Sequence, residues 1–141
     1  MEDIKRRLLW HGMFLFLIGL LTGLAEQRFN NPRMGLAAHL EGVMNGTFLV
    51  VLGAIWMDVQ LSPRLKTATY WSALYGTYVN WAVTLLAASL GTAAMSPIAA
   101  AGRSAQPWQE SLVTLGFVSV GIAMIAASIL ILWGLRRATA P

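Results

Sequence analysis

The chain has 141 residues, 57% of them hydrophobic and only 11% charged. A water-facing domain carries about a quarter charged residues, so this surface is built for an apolar solvent. The net charge of +4 is scattered between apolar runs, which argues against nucleic acid as a partner, and the lack of cysteine excludes disulfides, thiolate metal sites, thiol catalysis and covalent c-type haem.

A helix needs about 20 apolar residues to cross a bilayer. Four stretches qualify: 8–25, 34–57, 68–94 and 111–135. They predict one all-α domain over 1–141, an integral membrane bundle of four antiparallel helices. The first stretch is longer than a signal-peptide core, and Glu2 and Asp3 spoil a leader, so it reads as a retained helix. His11 sits near its inner end beside Trp10 and Gly12, as an interfacial histidine or a ligand. Asn30, Asn31 and Pro32 then end one helix and start the next.

The second stretch is the richest in polar residues. Ionisable groups in a spanning helix cost about 2.5–3.5 kcal/mol on insertion scales, so each raises a functional question. His39, Gly42, Val43 and Gly46 share one helix face, and Glu41, Asn45 and Phe48 form the adjoining one. A histidine above two glycines leaves a flat groove of the kind a porphyrin needs. Small residues equally let helices pack closely, with His39 hydrogen-bonding a neighbour. Glu41 is either an interfacial carboxylate, with Arg28 or Arg33 as partner, or an acid–base group.

After a loop containing Ser62 and Pro63, the third stretch carries Gly76, Thr77, Asn80 and Thr84 at helical spacing, with Tyr75, Tyr78 and Trp81 close by. Asn45 and Asn80 fall at equal depth, where they either pair with each other or hold a polar substrate head. Residues 95–110, with Pro97, Gly102 and Pro107, read as a linker, with a partly inserted lid as the alternative. The fourth stretch has little polar content; Gly121, Ala123, Ala126 and Ala127 suit a scaffold or an oligomer interface. No phosphate loop, nucleophile elbow or HExxH motif occurs.

Charge orients the bundle. Lys5, Arg6, Arg7, Arg64, Lys66, Arg136 and Arg137 fall on one side, against Arg28, Arg33 and Arg103 on the other. Seven cations against three put both termini in the cytoplasm. Trp10, Trp56, Trp71 and Trp133 fall at the inner boundary, Trp108 at the outer, and Trp81 at mid-membrane.

Trp10-His11-Gly12 and the run Ala38-His39-Leu40-Glu41-Gly42-Val43-Met44-Asn45-Gly46 resemble hydroxylaminobenzene mutase. The likeness covers most of the chain and is most specific in the spacing of His39, Asn45 and Gly46. Styrene oxide isomerase looks like a more distant relative. The resemblance implies a multi-pass isomerase of the bacterial inner membrane, turning hydroxylaminobenzene into 2-aminophenol in nitroarene degradation. It also implies a homotrimer with ferric haem b as Lewis acid, held by His39, with Gly42 and Gly46 beside it. Asn45 lies next to the substrate in that picture. One departure weakens the epoxide reading: Thr84 stands where the epoxide isomerases have a tyrosine.

The implied reaction is an intramolecular hydroxyl shift in a dry pocket. Asn45 and Asn80 would position the polar head, and Glu41 or Tyr78 would move protons. Two other classes compete. A membrane haem anchor for electron transfer would want two axial ligands. A small multidrug exporter would want a carboxylate deep in the first helix, which has none before Glu26.

Overall fold

A computed structural model describes residues 2–136. Arg137, one of the seven inner cations, lies outside the described residues. The described chain is all-helical: α1 (Glu2–Ala25), α2 (Pro32–Ala54), α3 (Pro63–Leu90), α4 (Pro97–Ala100) and α5 (Pro107–Arg136), with a 3-10 turn at Glu26–Arg28.

The helices begin where caps allow rather than where the apolar runs begin. The Asn31 side chain accepts from the amides of Arg33 at 3.1 Å and Met34 at 3.4 Å, which caps α2 just ahead of Pro32. Pro63 and Pro107 likewise open α3 and α5 ahead of the predicted stretches. The third helix stops early at Gly91, whose φ of 73° is left-handed and whose N–H donates to the Ala87 carbonyl at 2.8 Å. Composition alone carries that stretch on to residue 94. Helix α4 has no counterpart among the predicted stretches.

Among the described residues, three helices are long and apolar enough to cross a membrane: Glu2–Arg28, Pro32–Ala54 and Pro107–Arg136. Their outer faces carry bare apolar side chains, with Leu24 84% and Leu115 69% exposed. A chain that presents such surfaces is a membrane protein. Helix α3, at 28 residues, is of spanning length but falls short in apolarity, because Thr69, Thr77, Asn80 and Thr84 punctuate it.

Glycines set the packing of α1 on α2. A Cβ on Gly46 would lie 2.5 Å from the Phe16 amide nitrogen, and one on Gly12 2.7 Å from that of Val50. Gly42 meets Gly19 backbone to backbone. Lipid tails are as apolar as leucine, so helices in a bilayer gain most from such close approach. Helix α3 packs on α2 and on α5, where Met124 fills the space over Gly76. One core cluster, around Leu8, Leu49, Trp56 and Ala73, fills one end. A second, around Met34, Ala88 and Val113, fills the other. Trp56, expected as a boundary anchor, is fully buried, with the Lys66 ammonium 5.8 Å from the centre of its ring.

Candidate active site

Between those two apolar clusters, polar side chains of α2 and α3 face each other. Asn80 donates from its amide to Glu41 Oε2. Asn45, one turn after Glu41, donates to the same Oε2 at 3.3 Å and to the Thr77 carbonyl at 3.3 Å. The two asparagines therefore meet at a carboxylate rather than at each other. Glu41 takes amides, not Arg28 or Arg33; no arginine pairs with it among the described residues. Its second oxygen, Oε1, accepts no hydrogen bond from the described residues.

Glu41 also lines a cavity of about 350 Å³, with Met34 and Ala37 of α2, Thr84 of α3, Phe117 of α5 and Met95, Ser96 and Ala99 from the connection before α5. That volume suits a small organic ligand. The walls are apolar apart from Glu41, Thr84 and Ser96. The Thr84 hydroxyl donates to its own helix, at the Asn80 carbonyl 2.8 Å away. The α3–α5 connection, read as a linker, is thus part of the cavity wall. Its Ala- and Ser-rich composition gives no hint of this, since small residues serve a linker and a tight cover equally.

His39 lies on the opposite side of α2. Two residues from Glu41, it is rotated by about 200° and faces α1. Its Nδ1 is 2.8 Å from the Gly19 carbonyl, and its ring lies over Gly23. A carbonyl can only accept, so Nδ1 carries a proton, and in the neutral ring the lone pair is on Nε2. Nε2 has no hydrogen-bond partner among the described residues. An imidazole with one nitrogen anchored to a carbonyl and the other available is able to ligate a metal. Gly42 and Gly46 are both buried against α1, so helix α1 occupies the groove that they open.

Tyr78 belongs to another cluster. Its hydroxyl is 3.0 Å from His11 Nδ1 and donates to the His11 carbonyl at 3.3 Å. It does not line the Glu41 cavity. His11 and His39 are far apart: the ring of His39 lies over Gly23, twelve residues past His11 on α1, a rise of about 18 Å. Trp81 bridges helices, donating from Nε1 to the Thr22 hydroxyl at 3.2 Å.

The styrene oxide isomerase family matches residues 4–136. The chain is 46% identical over 138 residues to the hydroxylaminobenzene mutase HabB of Ectopseudomonas oleovorans, covering 97% of this chain and 84% of that one. It is 43% identical over 127 residues to HabA of the same organism, covering 89% and 94%. No solved structure matches the chain.

Proposed function

The chain belongs to the styrene oxide isomerase family and is an isomerase, and from that premise we propose that it converts hydroxylaminobenzene to 2-aminophenol by intramolecular hydroxyl transfer. The observation that carries this reading is Glu41, held by Asn45 and Asn80 and lining a mainly apolar cavity. An aryl hydroxylamine has an apolar ring and one polar head, and the cavity offers matching walls.

The isomerisation breaks N–O, forms C–O at the ortho carbon, removes the proton from that carbon and returns one to nitrogen. Atoms and electrons balance without an external oxidant. Glu41 is the proposed base. Two amides hold its Oε2, which leaves Oε1 to take the ortho proton and hand it to nitrogen. Asn45 and Asn80 do not line the cavity; they act through Glu41, orienting its carboxylate from behind. Apolar walls from Met34, Ala37 and Phe117 keep water from capturing the ring cation. Tyr78, engaged with His11, supports this role less well than Glu41 does.

Ferric haem b is the proposed cofactor. His39 would hold it through Nε2, and when bound it supplies a Lewis acid toward the N–O group. Gly42 and Gly46 contribute at one remove: they let α1 come close enough for the Gly19 carbonyl to orient the imidazole. His39 and Glu41 project from opposite sides of α2, so a site using both is built between copies. That supports an oligomer, and the homotrimer is the proposed form.

The proposed assembly lies in the bacterial inner membrane with both termini cytoplasmic. Helix α3 would be the fourth span of an antiparallel bundle, its polar stripe turned inward. The test is the absorption spectrum of the detergent-purified protein with and without hydroxylaminobenzene, beside product analysis. A Soret band that shifts with substrate, and its loss together with activity in His39→Ala, are expected. An active, colourless His39→Ala protein overturns the haem role, and absence of 2-aminophenol overturns the mutase.

A further inference from the structure

The α3–α5 connection has the composition of a loose linker and the bonding of a fixed part. Glu110, in the first turn of α5, reaches back into it. The amide of Ala93 donates to both carboxylate oxygens, at 2.9 and 3.0 Å. Ala94 donates to Oε2 at 2.9 Å and Ala105 to Oε1 at 3.1 Å. One side chain thus draws both ends of the connection together and supplies acceptors to three amides that no helix serves.

A second side chain holds its middle. Asn31 is fully buried, and its Nδ2 donates to the Ala99 carbonyl at 2.8 Å. Its Oδ1 meanwhile caps α2, and its backbone amide donates to the Ala88 carbonyl at 2.9 Å. The segment held in this way supplies Met95, Ser96 and Ala99 to the Glu41 cavity. Ala101 and Gly102 both take left-handed φ, 52° and 80°, where the chain turns back from α4. A non-glycine residue in that region is held there by its surroundings.

We propose that Glu110 and Asn31 are positioning residues that hold residues 95–99 as a roof over the Glu41 cavity and so set how tightly the aryl ligand is retained. The roof carries no reacting group. It completes the walls, and ligand binds only the roofed form. The inference rests on the proposed function for the identity of the ligand.

The test uses two variants with separable effects. Asn31→Asp keeps the oxygen that caps α2 but loses the donor to Ala99. Glu110→Gln keeps the shape but sets an NH2 group against amide donors. Binding of aniline, a non-reacting amine of the right shape, is measured beside turnover of hydroxylaminobenzene and amide exchange at residues 93–105. Each variant is expected to bind aniline roughly tenfold more weakly and to raise KM by a similar factor, with kcat within about twofold and faster exchange confined to the roof. Wild-type affinity and KM in a variant whose roof exchanges faster would overturn the inference, as would unchanged exchange. Wild-type protein that binds aniline in this roof-dependent way yet makes no 2-aminophenol would instead overturn the proposed function and leave the roof standing.

Discussion

Glu41 holds its place because two carboxamides come to it. A carboxyl group away from bulk water needs hydrogen-bond partners, and Asn45 and Asn80 supply donors from two different helices. Glu41→Gln keeps the volume and removes the base. It is expected to leave the fold and any haem signal intact while lowering kcat by on the order of 100-fold, read by product formation. Asn45→Ala should keep the cofactor spectrum and also lower turnover on the order of 100-fold, since it frees one side of Oε2 and a bond to Thr77. A wild-type rate in either variant would remove that residue from the site. The sequence marks each of these residues, because polar groups stand out in an apolar run. Their pairing is hidden there: Glu41 and Asn80 are 39 positions apart, and only the register of α2 on α3 joins them.

At the scale of elements, glycine has two different uses in this chain. On α2, Gly42 faces the backbone of α1 with no room for a methyl group. Gly42→Ala is therefore expected to cost about 1–3 kcal/mol through overpacking, seen as a lower thermal midpoint in detergent. It should also disturb His39, because the Gly19 carbonyl moves with α1. Gly121 on α5 has nothing within 4 Å of the place a methyl group would take, so Gly121→Ala should leave the midpoint unchanged or raised by about 0.5–1 kcal/mol of helix propensity. Equal shifts in the two variants would contradict this difference in packing. Both glycines stand out in the sequence as small packing positions. Spacing does not say which has a neighbour.

For the whole molecule, orientation in the membrane has a simple handle. The chain has no cysteine, so single cysteines report cleanly. Ser62→Cys, before α3, and Ser104→Cys, before α5, lie at exposed positions in successive connections. If α3 spans the membrane, an impermeant maleimide added outside intact cells should label Ser104→Cys and spare Ser62→Cys. Labelling of both from outside would reject α3 as a span. The reverse pattern would invert the proposed topology.

The sequence by itself determined the solvent, the four long helices and the family. Apolar runs of bilayer length, a shortage of charge and the His39–Asn45–Gly46 spacing are properties of the chain read in order. Cap residues fixed the helix starts more finely than hydropathy, as Asn31 and Pro63 show, because a cap is a local hydrogen bond or a local φ. Tertiary structure alone decided the partners. It turned Glu41 toward α3 and His39 toward α1, joined Tyr78 to His11, and brought the α3–α5 connection over the cavity through Glu110 and Asn31. These are contacts between distant positions. They depend on how closely two helices approach and how far each is rotated, which the order of residues along one helix does not specify.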